Sequence, residues 1–329
     1  MVLIKEFRAN ELKKNFHGKK IAVLGDMMVD AYLWGDAKRI SPEAPVPVVE
    51  VEDEFYRFGG AANVANNILH LGGIPFPLGV LGDDRAGEIF KDLLAELKID
   101  HSGLICENER PTTIKTRVIA GTQHVVRIDK EKKSYISYET GQKLFEHLES
   151  MIDELDGIIL QDYNKGVLSK TLIRETIALC KAKGKLVTVD PKFANFFEYQ
   201  DVTVFKPNRK EAGDVLGISI VSEEDITKAG EMLIEKLNAS NVLLTLGEGG
   251  IAVFEKDGNF KRMPTKARKV ADVSGAGDTV IATLTMALSA GANIYEASFL
   301  ANYAGGIVCE EVGIVPVKLD NLFNSISDY

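Results

Sequence analysis

Cysteine is scarce: Cys106, Cys180 and Cys309 are the only three in 329 residues. With no C-x-x-C pair and no histidine at a zinc-ligand spacing, they form neither a disulfide framework nor a zinc ribbon, and the usage suits a reducing compartment. No continuous apolar run approaches the length of a membrane span. The opening MVLIKEFRANELKKNF interleaves charged and apolar residues, so a secretion leader is not expected and the expectation is a cytoplasmic protein. A basic excess is also missing. The formal net charge of −9 argues against a nucleic-acid surface, which needs a positive face. Two phosphate-binding signatures are absent as well. No G-x-x-x-x-G-K-[ST] occurs, so no Walker lysine holds phosphates. After the first strand, Gly25-Asp26-Met27-Met28-Val29-Asp30 sets carboxylates where a dinucleotide's pyrophosphate would sit, which disfavours hydride transfer.

What is present is ordinary globular composition, 45% hydrophobic and 26% charged, ample for one large α/β domain over 1–329. An amphipathic N-terminal helix precedes an apolar strand, Lys19 to Leu24, ending at Gly25-Asp26. The segment 31–58, with three prolines and alternating Val and Glu, reads as edge strands and turns. It interrupts the β/α order as a lid would. Gly59-Gly60 open a helix with Val64, Ile68 and Leu71 on one side, while Ala61, Ala62 and Ala65 are read as packing residues. A second strand (IPFPLGVLGDD) and an amphipathic helix (RAGEIFKDLLAELKI) follow. Residues 111–129 read as a hairpin that breaks at Gly121-Thr122 and completes the lid; His124 is read as structural or exposed. From GIILQDYNKG onward, apolar strands end in polar or glycine-rich segments, the signature of a parallel sheet with its site along one edge. IAVFEKDGNFKRMP reads as a hairpin turning at Asp257-Gly258, and YEASFLANYAGGIVCEEVG as the final helix.

The chemistry is expected in VADVSGAGDTVIATLTMALSA, residues 270–290. Gly275, Ala276 and Gly277 carry little side chain, so their amides can approach one anion, and a helix starting there adds its unsatisfied N–H groups and dipole. A carboxylate beside such a cup repels phosphate. Asp278 is therefore expected to accept a proton from a group attacking that phosphate; the alternative is that Asp272 or Asp278 caps the helix.

Around this turn stand further candidates. Asp30 is placed to accept hydrogen bonds from sugar hydroxyls, or is simply a turn residue, and Asn63 can point at a polyhydroxyl ligand. Asp162 with Lys165 and Asp190 with Lys192 can supply cations for a substrate phosphate, or the lysines are ordinary ion-paired surface residues. Asn208 and Glu211, three apart at a helix start, can hold magnesium through water and a phosphate oxygen, or can simply cap the helix. Thr245, Gly247 and Gly250 give an open rim suited to a nucleotide, or simply form a turn, and Asn302, Ala304 and Gly305 are small enough for an adenine slot.

Gly59-Gly60 with Asn63, Asn208-x-x-Glu211, Thr245-Leu246-Gly247 and the run from Asp272 to Asp278 together resemble the PfkB, or ribokinase-like, family of carbohydrate kinases. Ser274 stands where that family more often has Thr, which keeps a hydroxyl. The resemblance implies a three-layer α/β/α fold with a mostly parallel central sheet and a small β-strand lid, and ATP with magnesium as cofactors; whether potassium assists is left open. It implies Asp278 as the base, Gly275 to Gly277 as the anion hole, Asn208 and Glu211 placing magnesium and the nucleotide phosphates, and Asp30, Gly59, Gly60 and Asn63 holding the sugar. Within the family, VLGDMMVDAYLWGDAKRISPEAPVPVVEV, GGAANVANNI and QDYNKG are similar to kinases that phosphorylate D-glycero-D-manno-heptose 7-phosphate at the anomeric hydroxyl. Many of those are fused to a nucleotidyltransferase, and a chain ending at Tyr329 is expected to be a stand-alone kinase or one domain. For the 7-phosphate the expected residues are Lys165, then Lys192, with Arg57 or Arg117 in reserve. Exposed lid edges suggest a homodimer. An aspartate of ordinary pKa, about 3.9, is a weak base, so positioning and charge neutralisation are expected to carry most of the rate. The competing readings are a kinase for ribose, fructose or 2-keto-3-deoxygluconate, a catalytically silent sensor, and hydrolysis through an aspartyl-phosphate.

Overall fold

A computed structural model describes residues 4–265, 273–311 and 313–327; Asp272 of the glycine-turn motif lies outside them. The strands in chain order are β1 (Lys20–Gly25), β2 (Met27–Ile40), β3 (Pro47–Gly60), β4 (Ile74–Leu81), β5 (Leu104–Cys106), β6 (Thr113–Ala120), β7 (Gln123–Lys130), β8 (Gly157–Gln161), β9 (Leu186–Asp190), β10 (Val204–Phe205), β11 (Asn241–Thr245), β12 (Ile251–Glu255) and β13 (Phe260–Met263). The helices are α1 (Glu6–Phe16), α2 (Ala61–His70), α3 (Arg85–Glu96), α4 (Tyr138–Met151), α5 (Lys170–Ala182), α6 (Arg209–Leu216), α7 (Glu223–Leu237), α8 (Ala276–Ser289), α9 (Ile294–Cys309) and α10 (Leu319–Ser327).

The large sheet runs β13-β12-β11-β10-β9-β8-β1-β4-β5. It is parallel from β11 to β5, with β12 and β13 antiparallel at one edge. Both faces are covered, and the alternation of side chains along each strand explains how. Ile21 and Val23 of β1 join the apolar cluster under α2, α8 and α9, whereas Ala22 and Leu24 join the cluster under α4, α5 and α7. Two cores thus sandwich one sheet, the expected three-layer α/β/α arrangement. Caps fix where the helices start: the Ser137 and Ser169 hydroxyls accept from amides three residues on, and Ser222 and Asn293 form full capping boxes.

A second sheet has the order β3-β2-β6-β7. β2 begins at Met27, two residues past the end of β1, so this sheet hangs from the carboxyl edge of the first. Its strands reach Met27 and Gly60, beyond the expected limits of 31–58, and the hairpin β6–β7 pairs with the earlier segment through β2 and β6. Gly59 and Gly60 end β3 rather than belonging to the helix. Gly60 has φ +58°, and a Cβ there would lie 2.4 Å from the Asp26 carbonyl oxygen, so only glycine closes this corner.

The helix over YEASFLANYAGGIVC is not the last, because α10 follows it; α4 and the short β5 were also unanticipated. Ala61, Ala62 and Ala65 are buried in the core, as their packing assignment required, and His124 is exposed. Among the described residues, no helix is long and apolar enough to cross a membrane.

Candidate active site

The carboxyl ends of β8, β9, β10 and β11 open on a cleft of about 680 Å³ that the N-terminus of α8 closes. Gly275 takes φ +77° as the residue before α8, which puts Ala276, Gly277 and Asp278 in the first turn. The Ala276 amide donates to the Val273 carbonyl at 3.3 Å, so it contributes less to an anion cup than the sequence suggests. The Gly277 and Asp278 amides have no intrahelical acceptor and face the cleft.

Asp278 does not cap α8 with its side chain. Its buried carboxylate collects three side-chain donors from three other elements. Tyr163 Oη donates to Oδ1 at 2.6 Å, Gln161 Nε2 to the same oxygen at 3.0 Å, and Asn63 Nδ2 to Oδ2 at 2.8 Å. Burial pushes its pKa up to about 6, against the lowering by the Tyr163 and Asn63 hydrogen bonds; the negative charge of Asp190 adds to the rise. The expectation of an ordinary, feeble aspartate is therefore corrected, because desolvation of the charged form outweighs its donors. The same burial, with the Asp278 charge beside it, holds the Tyr163 phenol well above its usual range.

Behind Asp278 lies a buried ion pair. Lys206 Nζ sits 3.0 Å from Asp190 Oδ2, with both side chains almost wholly enclosed, and Gln161 Nε2 also donates to Asp190 Oδ2 at 3.2 Å. Lys206 lines the cleft at the Gly277 backbone. Lys192 pairs with Glu211 and stands 5.5 Å from the Tyr163 ring centroid. Burial alone would lower its pKa, but Asp190 and Glu211 raise it.

Asn208 and Glu211 form a capping box on α6: Glu211 N–H donates to Asn208 Oδ1 at 2.8 Å and Asn208 N–H to Glu211 Oε2 at 2.9 Å. The capping alternative is thus realised. Both side chains are engaged, and Asn208 lines the cleft while Glu211 does not. Among the described residues no three His, Cys, Asp or Glu cluster as a metal cage. The donors beside the cleft are hard oxygens few in number, which fits a small divalent ion held through water and substrate phosphates.

The remaining nucleotide-side candidates, Thr245, Gly247, Gly250 and Asn302, line the same cleft, as does Gly305. Asn302 Nδ2 already donates to the Pro264 carbonyl at 2.8 Å. Ala304 is buried in the core instead of lining the slot, because the α9 face it occupies packs inward.

The sugar-side candidates lie across Asp278, mostly on the second sheet. Asp30 is paired with Arg117 at 2.5 Å, and a Cβ on Gly59 would come within 2.5 Å of Asp30 Oδ2. Lys165 pairs with Glu131, and the Arg57 guanidinium donates to the Ile314 carbonyl at 2.6 Å. The loop after β8 that carries Tyr163 and Lys165 is fixed by buried Asp26, which accepts from the amides of Tyr163, Lys165 and Val167 at 2.8, 3.0 and 3.1 Å. Sequence reasoning missed Tyr163, Gln161 and Lys206 as contributors. The available signal was a polar residue at or just after the end of each apolar strand, in adjacent strands of a parallel sheet.

Residues 18–319 match the pfkB family carbohydrate kinases. The chain belongs to that family. Membership makes it a sugar phosphotransferase that uses ATP and a divalent metal. Among curated relatives, the bifunctional protein HldE of Desulfatibacillum aliphaticivorans is 42% identical over 313 residues, 95% of this chain and 64% of the relative. The bifunctional protein HldE of Helicobacter hepaticus is 44% identical over 294 residues, 89% of this chain and 61% of the relative. The chain therefore spans less than two thirds of those relatives. A solved ribokinase of Arabidopsis thaliana, complexed with ribose and ATP, has a TM-score of 0.74 at 18% identity, covering 94% of this chain and 99% of that one. At that identity the likeness concerns the fold, and it agrees with the layers and sheet described above.

Proposed function

We propose that this PfkB kinase transfers the γ-phosphoryl group of ATP to the anomeric hydroxyl of D-glycero-D-manno-heptose 7-phosphate. The product is heptose 1,7-bisphosphate, for ADP- or GDP-heptose and lipopolysaccharide precursors. The observation that carries the choice of sugar is the likeness, along nearly the whole chain, to HldE proteins, which pair heptose kinase and adenylyltransferase activities.

The acceptor hydroxyl gives its proton to Asp278 as its oxygen bonds to the γ-phosphorus; the bond from that phosphorus to the bridging oxygen breaks and ADP leaves. Phosphoryl transfer asks for positioning and charge neutralisation more than for covalent help. The α8 N-terminus and Lys206 beside it meet that demand for the transferring group. Thr245, Gly247, Gly250 and Asn302 hold the nucleotide, and Asp30, Gly59, Gly60, Asn63 and Arg117 hold the sugar. Asn208, at the cleft, and Glu211 behind it would hold Mg²⁺ through water, and the ion would supply positive charge against the nucleotide phosphates; potassium would be an optional assistant. The four-stranded sheet acts as a lid over the sugar, its exposed edges pair with those of a second copy in a homodimer, and the enzyme works in the cytoplasm.

The test is ATP turnover with Mg²⁺ against a panel of sugars and sugar phosphates, with the new phosphate located by phosphorus NMR. A 1,7-bisphosphate from the heptose 7-phosphate, lost in Asp278→Asn, supports the proposal. Turnover confined to unphosphorylated ribose, fructose or 2-keto-3-deoxygluconate discards the substrate. Trapping phosphate covalently on Asp278 discards the mechanism.

A further inference from the structure

Most of the cations around Asp278 are satisfied by a carboxylate: Lys206 by Asp190, Lys192 by Glu211, Lys165 by Glu131 and Arg117 by Asp30. Arg57 is turned to a backbone carbonyl. Lys115, on β6, differs from all of these. It is half-buried, and no carboxylate of the described residues lies within ion-pair distance of its Nζ.

Its surroundings are set by strand register. Arg57, Asp30, Lys115 and Asp129 stand opposite one another across β3, β2, β6 and β7 and so share one face of the second sheet. The two carboxylates flanking Lys115 are engaged elsewhere, Asp30 with Arg117 and Asp129 with Arg127 at 2.9 Å. Lys115 Nζ instead lies 5.8 Å from the centroid of the Tyr163 ring, whose hydroxyl donates to Asp278. Burial, and after it the charge of Lys165, disfavours the ammonium form, yet the fold keeps the side chain there. Asp30 and Asp129 favour the ammonium from a distance, but a half-buried cation with no direct ion-pair partner among the described residues is costly unless a ligand supplies the charge.

We propose that Lys115, with Lys165 beside it, seats a phosphate monoester carried by the sugar acceptor, one tyrosine side chain away from the carboxylate that takes the acceptor's proton. The phosphate belongs to the acceptor and not to the nucleotide, because Lys192 and Lys206 line the nucleotide cleft and Lys115 does not. Tyr163 spans the two ends, with its hydroxyl on Asp278 and its ring under the ammonium. The inference deepens the proposed function and rests on its placement of the acceptor hydroxyl at Asp278. It goes further in assigning recognition of the phosphate to a residue on the second sheet.

The experiment compares kcat/KM for heptose 7-phosphate with that for the same heptose lacking phosphate, in wild type, Lys115→Met and Lys115→Arg. Loss of one charge-assisted contact predicts that the preference for the phosphorylated sugar falls about 10- to 100-fold in Lys115→Met. The loss should appear in KM, and Lys115→Arg should recover part of it. An unchanged preference in Lys115→Met overturns the inference while leaving the kinase assignment intact. If wild type ignores heptose 7-phosphate but prefers another phosphorylated sugar to its free form, the proposed substrate fails and the same comparison is read on that sugar. A wild type that favours free sugars throughout overturns the inference. Calorimetric titration of the folded proteins with the phosphorylated sugar supplies a readout independent of turnover: equal affinity in wild type and Lys115→Met also overturns it.

Discussion

The pH dependence of turnover is the sharpest test of what Asp278 does. With its carboxyl pushed up to about 6 by burial, only roughly one molecule in ten carries the ionised base at pH 5, against nearly all at pH 8. An aspartate of ordinary pKa would still be mostly ionised at pH 5. If Asp278 must be ionised to accept the proton, kcat/KM, which reports the free enzyme, should fall about ten-fold between pH 8 and pH 5. The assay is ADP release coupled to a pH-insensitive detector across pH 4.5 to 8.5. A sugar phosphate also takes up a proton near pH 6, so the fall alone does not identify the group. Tyr163→Phe separates the two. The phenol's hydrogen bond at 2.6 Å lowers the Asp278 pKa, so its removal should move the half-maximum upward by about one pH unit, the worth of one charge-assisted hydrogen bond. Titration of the substrate would not move with that substitution. A half-maximum that stays put in Tyr163→Phe, or wild-type activity flat to pH 5, would refute a perturbed Asp278 as the base.

Other perturbations probe the surrounding frame. Because the folded pKa of Asp278 lies above its unfolded value, the stability linked to its neutral form is full below about 3.8 and is lost as pH rises through about 6. Urea unfolding of Asp278→Asn should lack that loss, of order 3 kcal/mol between pH 4 and pH 7; equal pH dependence in both proteins would count against it. In Gly277→Ala the new methyl meets Lys206 Nζ and Asp190 Oδ2 only at ordinary contact distances of 3.7 and 3.8 Å. The melting temperature should hold while kcat drops at least ten-fold, since the methyl enters the anion cup; retained kcat would remove the cup from the mechanism. Asp26→Asn turns an amide N–H₂ toward backbone donors in the loop after β8, so about 1–3 kcal/mol of stability should go, with kcat falling as Tyr163 shifts, both measurable by denaturation and turnover.

What the sequence made legible was local. Apolar runs ending in polar or glycine-rich residues marked β1, β4, β8, β9 and β11, and the glycine turn before α8 marked the helix N-terminus, because a run of apolar residues and unsatisfied amides are properties of neighbours along the chain. The partners of Asp278 are a different kind of fact. Asn63, Gln161 and Tyr163 stand 215, 117 and 115 residues away from it, on α2, on β8 and in the loop after β8, and only the parallel order of the sheet brings their elements together. The same reasoning explains the wrong expectation about the strength of Asp278 as a base. A motif shows that a carboxylate is present, but desolvation depends on what closes over it, here α2 stitched to α8 through Asn67 and Thr279 at 3.1 Å. It also explains why Lys115 went unnoticed within an alternating hairpin strand. Its proposed role rests on the lack, among the described residues, of a carboxylate where nearby cations have one, and a missing partner becomes visible only once four strands are in register.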